Sequence, residues 1–207
     1  MAVLIVLLAK PDGGLRPIGL FPSDMRIWAR ARLEQAQEWE AEHAHPALFG
    51  GRGMGAQRAA WCASAQAEAA ALSEDEYAMA LLDLVKAFER IPHHMVVHYA
   101  KLLGFNLRLL RLSLCAYRMD RRISVQGMFS RVLRATRGIT AGSTFATTEL
   151  RIMLTTIVEF AYGNWPRLDL KLYIDDFTIA ARGSIRVATS IVAQCANLIL
   201  SLIHISE

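Results

Sequence analysis

Two adjacent aspartates, Asp175 and Asp176, stand between two apolar segments, 170–174 and 177–181. Apolar segments rich in Tyr, Phe, Ile and Thr are typical of strands, and an Asp pair between them indicates a tight hairpin turn. A third aspartate, Asp83, ends another apolar segment. Carboxylates at the ends of buried strands offer the oxygen ligands that Mg²⁺ prefers. The alternative is that Asp83 only caps the turn after its strand, and that the Asp pair only closes a hairpin.

Basic side chains are concentrated in one part of the sequence. The 207-residue chain has 23 Lys and Arg against 19 Asp and Glu, a formal net charge of +4. Asp120 is the one acidic residue between Asn106 and Arg137, a stretch that contains eight arginines. A surface that faces phosphates explains this bias, and from charge alone a solvated helix face explains it equally well. The arginines are Arg108, Arg111, Arg118, Arg121, Arg122, Arg131, Arg134 and Arg137.

Composition excludes several classes of protein. Apolar residues make up 54% of the sequence, which indicates a globular rather than a disordered chain. No apolar run reaches the roughly 18 residues of a membrane span. The apolar segment 1–9 has no basic residues before it and is followed by Pro-Asp-Gly-Gly, so it favours a buried strand over a secretory signal. Three separated cysteines indicate reduced thiols, and we expect an intracellular protein of the nucleus or cytoplasm without membrane attachment.

Hydrophobic periodicity and turn residues predict a mixed order of strands and helices. Predicted strands cover 2–10, 15–21, 77–84, 122–126, 131–136 and the two sides of the Asp-Asp hairpin. Predicted helices cover 24–42, 56–72, 92–103, 107–117, 143–162 and a segment from about residue 184. Strands that meet mainly as antiparallel hairpins, with helices packed against them, predict an α+β fold rather than a βαβ repeat.

Five short motifs, in order from about Leu4 to Gly183, resemble those of reverse transcriptases, especially of non-LTR retrotransposons and group II intron proteins. Segment 81–88, Leu-Leu-Asp-Leu-Val-Lys-Ala-Phe, is similar to the first palm motif, Asp-x-x-Lys-Ala-Phe. Segment 173–176, Tyr-Ile-Asp-Asp, resembles the Tyr-x-Asp-Asp motif. The other three are 137–143, similar to Gly-Val-x-Gln-Gly-Ser-Pro; 8–18, similar to the fingers hairpin; and 49–52, similar to Gly-Phe-Arg-x-Gly-Arg.

The resemblance implies a right-hand polymerase palm, an antiparallel sheet packed by helices, with N-terminal fingers. We expect fingers over residues 1–76 and palm over 77–199, with fingers elements that interleave. We also expect the chain to end before the thumb. Residues 200–207 can be back-translated into a transposase adapter used for sequencing libraries, so we interpret them as adapter read-through rather than natural sequence.

The resemblance also implies an active site and its partners. Asp83 and Asp175 bridge two Mg²⁺ ions, for which Mn²⁺ is an alternative, and Asp176 supports the site or binds metal more weakly. The residues implied to bind the dNTP or lie beside it are Lys10 and Arg16 at the triphosphate, Phe88 under the sugar, and Gly142 next to the template–primer pair. The partners are an RNA template, a DNA primer and dNTPs, and the activity is that of an RNA-directed DNA polymerase.

The sequence departs from the family pattern at two positions. Ala141 stands where Gln is usual, and Thr144 stands where Pro is usual. A side-chain hydrogen bond near the templating base is therefore lost, which favours a non-catalytic scaffold that only binds nucleic acid. The intact Asp83, Asp175 and Asp176 favour the enzyme. A third alternative is an inactive, truncated remnant of a retroelement.

Overall fold

The computed structural model describes residues 2–11, 13–51, 53–73 and 75–204, with the backbone alone for 202–204. Its strands are β1 (Ala2–Ala9), β2 (Leu15–Leu20), β3 (Tyr77–Asp83), β4 (Asp120–Val125), β5 (Met128–Phe129), β6 (Leu168–Tyr173) and β7 (Asp176–Arg182). Its helices are α1 (Ser23–Ala31), α2 (Leu33–Glu42), α3 (Ala56–Leu72), α4 (Ala87–Arg90), α5 (His93–Leu102), α6 (Leu107–Tyr117), α7 (Ala146–Asn164) and α8 (Ile185–His204).

The chain forms two compact units, and each consists of two separate stretches of sequence. The first unit comprises residues 1–39 and 86–153, and the second comprises 40–85 and 154–207. Each unit has its own sheet, and the strands named above pair antiparallel except for β1 with β4. This mixed architecture confirms the predicted α+β class. No helix in the described ranges combines the length and the apolar character needed to cross a membrane.

The sheet of the first unit has the strand order β2-β1-β4-β5. Its first hairpin forms as the Pro-Asp-Gly-Gly sequence predicts, with Lys10 N donating to Gly14 O at 2.8 Å; Asp12 lies outside the described residues. Along β1, Val3 and Ile5 are buried while their neighbours are more exposed, which is the alternation of a strand with one face on a core.

The sequence-based assignment was wrong at two places in this unit. The strand paired with β4 is β5, not segment 131–136, because Gln126 and Gly127 have φ of 49° and 80° and close the hairpin earlier. Two consecutive positive φ angles are typical of the two-residue turns that join tight hairpins. The segment 131–136 contributes only a single bridge, at Leu133. The predicted helix 24–42 is divided at Arg32 into α1 and α2.

The sheet of the second unit has the order β3-β7-β6. One face is apolar and buried at its centre, where Ile179 and Leu170 are register partners with exposures of 0% and 1%. Helix α8 packs against β3 and β7, and its buried residues recur at helical spacing. They are Ala188, Val192, Cys195 and Ile199. The core thus fixes the positions of the three strands whose ends carry the aspartates.

Candidate active site

The three predicted catalytic aspartates lie at one end of the second unit's sheet. Asp83, the last residue of β3, is the register partner of Asp176, the first residue of β7. Residues directly opposite on paired strands point to the same face, with Cβ atoms about 4.5–5.5 Å apart. Asp175 precedes Asp176 in the hairpin turn and is half-buried, whereas Asp83 and Asp176 are exposed. The fold therefore brings the carboxylates of two distant segments to one solvent-facing edge.

The hairpin turn that carries Asp175 is strained and supported from several sides. Ile174 has a φ of 57°, a left-handed conformation that is rare for a β-branched residue. Its main chain packs against Gly50, where a Cβ atom would lie 3.5 Å from Ile174 N. Leu84 N donates to Asp175 O at 3.2 Å. A strained backbone conformation persists only where several surrounding contacts hold it in place. Here the contacts with Gly50 and Leu84 hold the turn.

The segment before Gly50 extends the sheet beyond β6. Leu172 N donates to Ala47 O at 2.7 Å, and Phe49 N donates to Leu172 O at 2.8 Å. These bonds form a short parallel bridge between Leu48 and Leu172. The glycine-rich stretch that resembled a family motif therefore supports the Asp175 hairpin; its Arg52 lies outside the described residues.

The carboxylates fit a hard divalent cation, although they do not form a complete protein cage. Within the described ranges no group of three or more His, Cys, Asp or Glu side chains is arranged as a metal site. The exposed register partners Asp83 and Asp176 supply carboxylate oxygens from one face. Mg²⁺ usually takes one or two carboxylates and completes its shell with water and substrate phosphates. An open carboxylate pair is therefore a suitable donor set for Mg²⁺.

The sheet surface beside this pair is open and apolar. On the face of Asp83 and Asp176, the next register pair is Leu81 with Thr178, and Leu81 is 70% exposed. Met79, one pair further on, is 48% exposed. The buried Lys171 on the same face hydrogen-bonds Gln66 and Asp169, so its charge is neutralised. A ligand that reaches the aspartates from this side meets an apolar floor.

The predicted dNTP-binding residues all belong to the first unit. Lys10 and Arg16 are exposed near the end of the β1–β2 hairpin, where Arg16 is the register partner of Leu8. Phe88 is half-buried in α4, and its carbonyl oxygen accepts from Ile139 N at 2.6 Å. Phe88 therefore lies beside segment 137–143.

Two glycines of segment 137–143 are required by the backbone around them. Gly138 has a φ of +91°, and a Cβ there would lie 2.6 Å from Glu89 O. Gly142 has a φ of +100°, and a Cβ there would lie 2.6 Å from Gly19 O. Gly19 N in turn donates to Ala141 O at 2.7 Å. The segment is thus attached to strand β2 on one side and to the α4 region on the other.

The structure sorts the arginines of the basic stretch by their contacts. Arg121 is partly buried and donates to Tyr117 O and Thr140 Oγ1, so its role is internal. Arg134 forms an exposed ion pair with Asp120, with Nε and Oδ1 2.6 Å apart. The arginines other than Arg121 are exposed, and they are Arg108, Arg111, Arg118, Arg122, Arg131, Arg134 and Arg137.

Sequence reasoning missed a group of buried polar residues next to this segment. The hydroxyl of Tyr117 lies 2.5 Å from Glu149 Oε2 and 2.8 Å from Ser143 Oγ. His93 Nε2 donates to Gly138 O at 2.9 Å, and burial lowers the pKa of His93. Burial raises the pKa of Glu149 to about 7. A carboxyl within the apolar sequence of α7 was the available signal, since buried acids need a partner.

Solved structures similar to this chain include telomerases. Apo telomerase from Candida tropicalis, truncated from the C-terminal domain, has a TM-score of 0.63 at 12% identity, covering 94% of this chain and 46% of that chain. Telomerase from Candida albicans, in complex with a TWJ fragment of telomeric RNA, has a TM-score of 0.66 at 12% identity. The match covers 99% of this chain and 40% of that telomerase. This likeness shows a shared reverse-transcriptase-like fold, and the chain spans less than half the length of either telomerase.

No curated protein matches the chain. The family described as "Reverse transcriptase (RNA-dependent DNA polymerase)" matches residues 8–202, which is most of the sequence. The matched range includes the three aspartates, the β1–β2 hairpin from Leu8 onward and segment 137–143. The chain therefore belongs to the reverse transcriptase (RNA-dependent DNA polymerase) family.

Proposed function

We propose that the chain is the fingers and palm of a retroelement RNA-directed DNA polymerase, most like the non-LTR and group II intron type. It transfers a nucleotide from a dNTP to the 3′-hydroxyl of a primer. The observation that carries this proposal is the pairing of Asp83 with Asp176, with Asp175 adjacent, at one end of a sheet. The division into fingers over 1–76 and palm over 77–199 is part of the same proposal.

The carboxylates hold the metal ions in this proposal. Asp83 and Asp175 would hold the ions, and Asp176 would support them. Mg²⁺, or Mn²⁺ in its place, would supply positive charge that stabilises the attacking and leaving oxygens. The role of the protein is to keep the carboxylates at a fixed separation, and the pairing of β3 with β7 is suited to that role.

The cationic hairpin neutralises the triphosphate of the incoming nucleotide. Lys10 and Arg16 are exposed, so both can reach a ligand without leaving a buried partner. The planar guanidinium of Arg16 matches two phosphate oxygens at once, and the ammonium of Lys10 acts as a point charge. In this proposal the fingers hairpin binds the part of the dNTP that departs as pyrophosphate.

In this proposal Phe88 selects the sugar, and Gly142 lies next to the template–primer pair. The half-buried ring of Phe88 collides with a 2′-hydroxyl and so favours deoxynucleotides. We expect Phe88→Ala to raise ribonucleotide incorporation, measured as the ratio of rNTP to dNTP efficiency on one template. An unchanged ratio would assign Phe88 to the core alone.

An RNA template is the proposed nucleic-acid partner. One of the similar telomerase structures contains a fragment of telomeric RNA, and the family copies RNA. The exposed arginines other than Arg134, which is paired with Asp120, provide the positive charge that a phosphate backbone requires. The apolar floor at Leu81 and Met79 beside the aspartates suits the sugar and base of a nucleic-acid strand rather than its phosphates.

The test is incorporation of dNTPs on an RNA template with a DNA primer, by the protein that contains this chain. We expect incorporation that depends on Mg²⁺, stops with a chelator and resumes when Mg²⁺ is restored. Template binding is measured in parallel by fluorescence anisotropy. Intact binding without incorporation would overturn the enzyme and leave the non-catalytic scaffold, which Ala141 and Thr144 favour. Absence of both activities would indicate an inactive remnant.

A further inference from the structure

A chain of hydrogen bonds connects a fully buried carboxyl group to the residue after Gly142. Tyr117 Oη lies 2.5 Å from Glu149 Oε2 and 2.8 Å from Ser143 Oγ. Both Tyr117 and Glu149 are 0% exposed. The three residues come from α6, from α7 and from the turn before α7, and all belong to the first unit.

Ser143 holds the turn that contains Gly142. Ser143 N donates to Thr140 O at 3.0 Å, and Ser143 Oγ accepts from Phe145 N at 3.4 Å. Arg121 holds the other end of the turn through Thr140 Oγ1 at 2.8 Å. A small cavity of about 30 Å³ lies beside Gly142 and Ser143.

The protonation state of Glu149 determines which hydrogen bond Ser143 makes, because Tyr117 stands between the two residues. Tyr117 has one hydroxyl proton, so it donates either to Glu149 or to Ser143. When Glu149 is ionised, Tyr117 donates to the carboxylate, and Ser143 keeps its contact only by donating to Tyr117. When Glu149 is protonated, the carboxylic acid donates to Tyr117, and Tyr117 donates to Ser143. The direction of every bond in the chain therefore reverses with one proton.

The surroundings of Glu149 bring this change near neutral pH. Burial raises the pKa of Glu149 to about 7, against smaller opposite effects of the side-chain hydrogen bonds from Tyr117 and Ser113. The other carboxyl oxygen, Oε1, is buried. The charged group that acts on Tyr117 from β4 is Arg121, which is occupied with Tyr117 O and Thr140.

The other titratable groups around the chain are on α5 and α1. The ring of His93, on α5, lies 6.2 Å from the ring of Tyr117, and burial lowers the pKa of His93, which favours its neutral form. Arg26, on α1, lines the cavity beside Ser143 and is exposed to solvent. Within the described residues, neither group is hydrogen-bonded to Glu149.

We propose that Glu149 is a positioning residue that acts through Tyr117 and Ser143 on the Gly142 turn, so that its proton sets the backbone path of residues 140–145. Its consequence for catalysis rests on the proposed function, in which this turn meets the template–primer pair. When Glu149 is protonated, the hydroxyl proton of Ser143 is free to donate within the turn. When Glu149 is ionised, that proton is committed to Tyr117 and the buried charge adds a desolvation cost, so the turn is held less firmly.

Hydrogen exchange of the amides of residues 140–145 tests the proposal without requiring activity. After correction for the intrinsic pH dependence of exchange, we expect protection in the wild type to fall about tenfold from pH 6 to pH 8, because the ionised fraction rises by that factor around a pKa near 7. Glu149→Gln, which mimics the protonated group, should show equal protection at both pH values. The matched control is Glu159→Gln, an exposed acid on the same helix, which should behave as the wild type.

Ser143→Ala provides a second variant that leaves the buried carboxyl in place. It should remove the pH dependence at residues 140–145 and leave the overall fold unchanged. Persistence of the pH dependence in Glu149→Gln, or its loss in Glu159→Gln, would overturn the proposal. Primer-extension assays then test the consequence for catalysis: we expect the KM for template–primer to rise between pH 6 and pH 8 in the wild type and in Glu159→Gln, but not in Glu149→Gln or Ser143→Ala. If exchange follows the prediction but no dNTP is incorporated, the proposed function is overturned and the positioning role is not. If dNTPs are incorporated but exchange does not follow the prediction, only the positioning role is overturned.

Discussion

The two sheets hold their charged residues in different ways. In the second unit the aspartates end strands whose apolar face is buried, with Phe177, directly after Asp176, only 1% exposed. In the first unit Lys10 and Arg16 are exposed near the end of the β1–β2 hairpin, and the strand partner of Arg16, Leu8, is 51% exposed. The carboxylates therefore lie on strands packed against a hydrophobic core, and the cations lie near the exposed end of a hairpin.

The proposed function accounts for this difference. Carboxylates that share metal ions need a fixed separation, which residues locked by packing and backbone bonds provide. Cations that bind a mobile triphosphate need reach and charge more than a fixed position. We therefore expect substitutions in the second unit to affect chemistry, and substitutions on the hairpin to affect binding of the nucleotide.

The largest effect should come from Asp175→Asn or Asp83→Asn. Either variant removes one carboxylate oxygen charge from the proposed metal pair, and incorporation should fall to background. Template binding should stay within about twofold of the wild type, since the aspartates do not bind the RNA backbone. Primer extension and anisotropy measure the two quantities, and Glu68→Gln, an exposed acid of the same unit, is the control. Normal extension by Asp175→Asn would refute the site.

Arg16→Ala tests the other side of the comparison. Hydrogen bonds to charged groups contribute about 1.5–3 kcal/mol, so the KM for dNTP should rise by about 10- to 100-fold. Steady-state extension at varied dNTP concentration measures this change. Arg16→Lys should recover only part of it, because lysine lacks the planar fork. A fall in kcat at constant KM would show that the hairpin serves the chemical step instead.

Gly142→Ala should destabilise the protein by about 1–3 kcal/mol, because it places a side chain at a positive φ and against the β2 backbone. Urea denaturation measures the free energy of unfolding. The matched control is Gly163→Ala, since Gly163 is on helix α7 and has no atom within 4 Å of an added Cβ. Alanine there should be neutral or stabilising. An equal loss of unfolding free energy in both variants would show that the close contact with Gly19 does not affect stability.

Arg122→Ala should have the smallest effect. Arg122 is exposed on β4 and has no internal role comparable with that of Arg121. Loss of one phosphate contact should weaken RNA binding equally for all sequences and reduce the salt dependence, d log K/d log[salt], by about 1. Binding titrations at several salt concentrations measure the slope. An unchanged slope would place the RNA on another face of the molecule.

Local signals in the sequence were sufficient for the elements that carry the aspartates and the cations. The Asp-Asp hairpin and the Pro-Asp-Gly-Gly hairpin were predicted because turn residues and alternating apolar residues are short-range features. The parallel pairing of β1 with β4 was not predicted, because residues 2 and 120 become neighbours only through the whole unit. The pair of Tyr117 and Glu149 was missed for the same reason, since the two residues are 32 positions apart.

The strand order β3-β7-β6 has a consequence for how the protein is made. Among the described strands β3 pairs with β7 alone, and β7 begins at Asp176, 93 positions after β3 ends at Asp83. At about 5–20 residues per second, the ribosome delivers that partner roughly 5–20 s later. During this time the nascent chain exposes an unpaired apolar strand, including Leu81 and Leu82. We therefore expect the yield of soluble protein to depend on chaperones that bind this segment during translation.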